Sequence, residues 1–167
     1  MVLGRAVDEL NTDKIIDYQY FMGLGWFDTN KIEAEEALKV NIFTVPTEFE
    51  NKKFVLVYQG NKKYSLTIPE IESQPERKVD GELGKLLSEH GVLLNVKQIE
   101  VHDGQEFTLI KQSRLAAIEE IKSNLSIGDV GKDTGILSFN YVGVKKDEIQ
   151  AILNSIIKNY EHQDREF

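Results

Sequence analysis

Gly131 to Tyr160 of this chain reads GKDTGILSFNYVGVKKDEIQAILNSIIKNY, and it predicts a turn, a strand and an amphipathic helix in succession. Ile149, Ile152, Leu153, Ile156 and Tyr160 fall at the spacing of one helical face. Asp147 is placed to cap that helix, and Gln150 three residues later completes a capping-box pattern. Tyr160 is followed by EHQDREF, without the Gly or Pro that usually closes a helix. At the other end, Leu3, Val7 and Leu10 share a helical face with no capping residue ahead of them, and Asn11-Thr12-Asp13 breaks the helix. Two such ends predict a piece cut from a longer protein.

Working outward, Lys14–Phe21 alternates like a strand, and GLGWF (23–27) is a glycine-broken loop. Thr29–Ala37 fits a short helical turn. Leu38–Val45 is strand-like, with Val40, Ile42 and Leu38 on one face, and Pro46 ends it. Phe54–Gln59 and Tyr64–Ile68 flank Gly60-Asn61-Lys62-Lys63, a hairpin signal. Pro69–Asp80 is polar and reads as a loop. Gly81–His90 fits either a short helix or a turn and strand. Gly91–Val101 is a strand, His102-Asp103-Gly104 a tight turn, and Glu106–Lys111 its hairpin partner. Ser113 then caps a helix whose buried face carries Leu115, Ile118, Ile121 and Leu125; Ile136–Val142 is the final strand. The class is α+β: a mixed or antiparallel sheet with a β-rich middle at 38–111, packed by N-terminal, central and long C-terminal helices. The chain is one domain, with the 38–111 sub-lobe set on a helix-strand-helix base at 113–167.

At 167 residues, 41% hydrophobic and 29% charged, the chain has the composition of a globular protein. A chain this long buries about 70% of its unfolded surface, enough for a core without disulfides or metals. Its net charge of −8 opposes phosphate backbones, so nucleic acid is an unfavourable partner. Zero cysteines exclude disulfides, thiolate metal sites and cysteine nucleophiles.

Gly131-Lys132-Asp133-Thr134-Gly135 looks like a phosphate loop, but Ser126 stands where the first glycine belongs and Asp133 replaces the Ser or Thr after lysine. An aspartate beside phosphates opposes binding, so a structural turn is the stronger reading. Trp26, between glycines and Phe27, offers an aromatic face for sugar, although such aromatics more often pin a loop to a core. His90, His102 and His162 lack metal-ligand spacing. The acidic clusters Glu33, Glu35 and Glu36, Glu119-Glu120 and Asp147-Glu148 suit a solvated helix face or a helix start better than general acid–base work. No catalytic, cofactor-binding or metal-binding residue is nominated.

VLGRAVDEL (2–10), GLGWF (23–27), GQEFTLIKQSRLAAIEEI (104–121), GKDTGILSF (131–139) and the helix ILNSIIKNYEHQ (152–163) resemble the periplasmic region of bacterial polysaccharide co-polymerases. These are the Wzz-type chain-length determinants, and the pattern is most similar to their tyrosine-autokinase, Wzc-type branch. The segments keep the family order across nearly the whole chain. The resemblance implies a periplasmic domain of a bacterial inner-membrane protein that controls the chain length and export of capsular, exo- or lipopolysaccharide. It implies a homo-oligomer assembled through a membrane-anchored parent, working with the polymer and its polymerase and export machinery. The parent would be a bacterial protein-tyrosine kinase, while this segment holds no cofactor and no kinase motif and acts as a non-catalytic scaffold. Asp147, Ile149, Ile152, Leu153, Ile156 and Tyr160 would form its structural or interface surface, holding the helix base against the sheet. The competing reading is a carbohydrate-binding module contacting the polymer through Trp26.

Overall fold

The computed structural model describes residues 2–21, 26–28, 31–131, 135–143 and 146–165. They fall into two compact units, one of residues 14–113 and one of residues 1–13 with 114–167. The fold is α+β, with every paired strand antiparallel.

The first unit holds two sheets. Strands β1 (Lys14–Phe21), β2 (Trp26–Asp28), β4 (Lys53–Gly60), β5 (Lys63–Ile68), β6 (Arg77–Glu82) and β9 (Glu106–Lys111) make a six-stranded sheet in the order β2-β1-β9-β4-β5-β6. Strands β3 (Leu38–Thr44), β7 (Leu86–Glu89) and β8 (Val92–Ile99) make a second, in the order β3-β8-β7. Alternation turns Phe54, Leu56, Leu66 and Leu109 of the larger sheet and Leu94 and Val96 of the smaller one into a single buried core. Phe54 is its centre. Its ring meets Phe43 edge-on at 5.3 Å and Phe49 at 5.9 Å, joining β3 and the short 3-10 turn Thr47–Phe49 to the larger sheet. Helix α2 (Lys31–Ala37) adds Ala34 to the same core.

Turn chemistry sets the β4–β5 register. Asn61 and Lys62 both take positive φ, the geometry a two-residue hairpin needs, and Gly60 beside them has φ of 79°. A Cβ on Gly60 would also strike the Asp103 carboxylate. Leu83 and Gly84 form a turn ahead of β7, which resolves the ambiguous Gly81–His90 segment as turn and strand.

Several expectations are corrected. Glu106–Lys111 pairs with β1 and β4, not with β8. β8 already has β3 and β7 on its two edges, and the turn before β9 docks on β4 instead. There Gly104 N–H donates to Tyr58 O at 2.7 Å and Tyr58 N–H to Gln105 O at 3.0 Å. The polar 69–80 segment contains the start of β6, an edge strand whose charges suit a solvated border. In β3 the register slips at Lys39/Val40 and again at Val40/Ile42, so strict alternation fails. Phe43 takes the buried place, and Ile42 is 43% exposed. Trp26 and Phe27 belong to β2 rather than to a loop, while Gly23 to Gly25 lie outside the described residues.

The second unit contains α1 (Val2–Leu10), α3 (Arg114–Asn124), β10 (Leu125–Asp129), β11 (Leu137–Tyr141) and α4 (Lys146–Asp164). Ala6 and Val7 of α1, Ala117, Ile118 and Ile121 of α3, and Ile152 and Ile156 of α4 form its core. Leu115 stands 67% exposed, because Ala117 takes the inward place beside Ile118. Leu125 has left the helix and begins β10, which pairs with β11 as a two-stranded ribbon. No helix among the described residues is long and apolar enough to cross a membrane.

Candidate functional site

The helical unit gathers the residues that the sequence nominates. Ile152 and Ile156 are buried in the core with residues of α1 and α3, and Ile149 and Leu153 are half-buried. Tyr160 is exposed, with its ring meeting Phe139 of β11 at 6.0 Å. The face of α4 packs mainly on helices, joined at one side by the ribbon. Asp147 lies inside the helix, which starts at Lys146; there it and Glu148 place negative charge in the first turn, near the positive end of the helix dipole. The side chain of Trp26 lies outside the described residues, as do Lys132 to Thr134 of the loop-like GKDTG segment.

Two polar contacts that the apolar pattern does not reveal tie this unit together. The first is an Arg–carboxylate fork. Arg114 of α3 donates from Nε and Nη2 to the two carboxylate oxygens of Asp8 on α1, both at 2.9 Å. Gly4, one turn earlier on α1, is what admits the fork: a Cβ there would overlap the guanidinium. The hydrogen bonds from Arg114 hold the Asp8 carboxyl below its usual range and raise the guanidinium in return.

The second contact centres on Glu9. Ser155 Oγ donates to it at 2.6 Å, and Asn159 Nδ2 reaches it at 3.4 Å while also donating to the Ser155 carbonyl at 2.9 Å. These hydrogen bonds, Ser155 first, lower the Glu9 pKa. Ser155 and Asn159 are themselves buried. They share the inward face of α4 with Ile152 and Ile156, at spacings of three and four residues. The signal in the sequence was that spacing with Ser and Asn admitted to it.

The ribbon supplies the remaining feature. Leu125, Phe139 and Tyr141 pack against the helical core from one ribbon face. Cross-strand partners share a face, so Ile127 (opposite Phe139) and Leu137 (opposite Asp129) extend that face past the helices. There Ile127 is 56% and Leu137 38% exposed. Ile157 and Tyr160 of α4 stand exposed in the same unit.

Several further titratable groups make structural contacts. Besides Asp8 and Glu9, Glu82 accepts from Lys85 at 2.8 Å and Glu119 pairs with Lys122 at 3.7 Å. His90, His102 and His162 sit in three separate segments, His90 beside Glu89 at 2.9 Å. Among the described residues, no group of three or more His, Asp or Glu side chains is placed to hold a metal ion.

Comparison with known proteins bears on this arrangement. Residues 2–112 match the family described as tyrosine-protein kinase Wzc, N-terminal domain. Over 166 residues the chain is 36% identical to the tyrosine-protein kinase wzc of Salmonella typhimurium, covering 98% of this chain and 22% of that protein. It is 30% identical over 168 residues to a putative tyrosine-protein kinase in the cps region of Klebsiella pneumoniae, with 96% and 22% covered. It is 29% identical over 167 residues to the tyrosine-protein kinase etk of Escherichia coli strain K12, with 98% and 22% covered. The chain thus spans about a fifth of the length of these relatives.

Proposed function

From a chain that belongs to the Wzc tyrosine-protein kinase N-terminal domain family, we propose a non-catalytic scaffold and oligomerisation domain on the periplasmic side of an inner-membrane protein. The parent controls the chain length and export of capsular, exo- or lipopolysaccharide, and this domain supplies shape and subunit contact rather than chemistry. Membership of the family is the observation that carries the reading.

The helical unit supports it in physical terms. Asp8 and Glu9 are engaged in holding α1 to α3 and α4, so the acids on this surface serve packing. The apolar ribbon face with Ile127 and Leu137 is the surface a neighbouring subunit covers. In such an assembly a change of state in the parent's kinase acts by altering subunit association, a coupling free energy between two sites.

The test is made in the membrane-anchored parent. Ile127→Asp with Leu137→Asp leaves the fold of the domain intact by circular dichroism, shifts the length distribution of the exported polymer on gels and weakens oligomer recovery by cross-linking. An unchanged polymer ladder and unchanged oligomers would refute the scaffold role of this surface.

A further inference from the structure

β6 and β7 are end strands of their two sheets, and a turn at residues 82–85 joins them. Lys85 N–H closes that turn on Glu82 O at 3.1 Å, and Gly84 N–H donates to Val96 O at 2.8 Å. Val79 of β6 and Leu87 of β7 belong to the core that the two sheets share. At the far end of the seam between these strands, side chains take over from the backbone. Arg77, the first residue of β6, meets His90 of the β7–β8 turn through Nη1 and Nε2. The same Nη1 stands 4.0 Å from Oε1 of Glu89, the last residue of β7.

The turn that carries His90 is tightly set. His90 and Gly91 both take positive φ between the paired residues Glu89 and Val92, the geometry of a two-residue hairpin. On its other side the turn meets Pro46, which bears no charge: a Cβ on Gly91 would lie 2.8 Å from that ring. Arg77 from β6 and Glu89 from β7 are the charged groups that meet the imidazole among the described residues. All three side chains are partly exposed, so a proton reaches the ring without unfolding.

Both contacts use one nitrogen, and they need it in opposite states. A guanidinium only donates, so Arg77 bonds His90 Nε2 when that nitrogen carries no proton. An ionised carboxylate only accepts, so Glu89 Oε1, 2.9 Å from the same nitrogen, needs a proton there. Neutral His90 with its proton on Nδ1 therefore ties β6 to the β7–β8 hairpin. Protonated His90 bonds Glu89 within its own hairpin and sets a second cation against Arg77. Histidine is the side chain that changes charge between about pH 5 and pH 8. We infer that His90 is a pH-operated latch on the seam between β6 and β7. It holds Arg77 on the alkaline side of that range and releases it on the acid side, which frees the start of β6. The latch lies wholly within residues 14–113 and does not depend on the scaffold reading.

NMR on the 167-residue chain tests it, through the ring-nitrogen shifts of His90 and amide hydrogen exchange. At about pH 8 the ring carries its proton on Nδ1, and at about pH 5 it carries one on each nitrogen. Leu83 N–H donates to Lys62 O at 2.8 Å, so by alternation the amides of Val79 and Arg77 also point into β5 and report fraying of β6. Corrected for the intrinsic effect of pH on exchange, their protection is about tenfold lower at the acid pH, while amides of the central strand β9 keep theirs. His90→Asn retains a residue that tolerates the left-handed turn and cannot titrate, and it abolishes the difference. A proton on Nε2 at the alkaline pH, equal protection of Arg77 and Val79 at both, or the same acid loss in His90→Asn would each overturn the latch.

Discussion

The two units handle their apolar residues in opposite ways. The sheet unit closes its large side chains into one core around Phe54, and the helical unit leaves many of its own outside. Of the ten large apolar residues that stand exposed among the described residues, only Ile42 and Leu86 belong to residues 14–113; the other eight lie in the helical unit. The difference follows from architecture. Two sheets that share one core enclose large side chains between them, whereas a two-stranded ribbon has little of its own to close over its apolar face. One unit encloses its apolar residues, and the other leaves eight of them exposed.

The sharpest way to break that contrast is to empty each core. Ile152→Ala with Ile156→Ala removes both fully buried α4 side chains, at about 2–5 kcal/mol each before any coupling between them. The helical unit then loses its cooperative melt, read by chemical denaturation. Phe54→Ala removes the ring that joins Phe43 and Phe49 and costs about 3–5 kcal/mol in the sheet unit. A denaturation midpoint unmoved by either change contradicts the core assigned to that unit.

Smaller effects probe the polar ties. Gly4→Ala displaces the Arg114 fork from Asp8 and lowers the melting temperature of the helical unit, while the same substitution made with Arg114→Ala costs less than the sum of the two. Additive losses would show that Gly4 does not act through Arg114. Acidification gives a second probe. Asp8 and Glu9 have depressed pKa values in the folded chain, so the unfolded chain binds protons first as pH falls. Their contribution is therefore present above the ordinary carboxylate range and is lost as pH drops through the depressed values. Thermal melts across that range show a slope that Glu9→Gln flattens; an equal slope in the variant contradicts the role given to Ser155 and Asn159. The smallest stability effect belongs to the exposed ribbon. Ile127→Asp changes the stability of the 167-residue chain by no more than about 0.5 kcal/mol, because the side chain already meets water.

The same contrast governs how much was legible in sequence. β1 is found at the Lys14 and Phe21 that alternation assigns, and α1 and α4 follow the expected periodicity. α1 and α4 bury one face against regular neighbours, so there local pattern and tertiary packing agree. β6, with RKVDGE, hides as a loop because an edge strand needs no apolar alternation. β10 hides as the tail of α3 because Leu125 extends the helical spacing by one more turn. The pairing of β9 with β1 and β4 depends on strands far apart in sequence, which periodicity does not encode. Ile42 and Phe43 exchange places because of register slips in β3. At the candidate site, Ile152 and Ile156 are readable as core, while Ser155 and Asn159 are not, since an apolar pattern skips the polar residues that a partner such as Glu9 makes admissible. The Asp8–Arg114 fork joins residues 106 positions apart and rests on Gly4, so its signal is a glycine one turn from an aspartate.

If a neighbouring subunit covers the apolar ribbon face, that face is buried in the assembled parent and bare in the chain alone. The chain has no cysteine, so single thiols can be introduced at Leu137→Cys on the ribbon and at Lys78→Cys on exposed β6, and their maleimide labelling rates compared. The Leu137→Cys thiol then labels at least about tenfold more slowly in the membrane-anchored parent than in the isolated chain, as expected for a desolvated interface position, with the Lys78→Cys thiol equally fast in both. Equal rates at Leu137→Cys in parent and chain would contradict it.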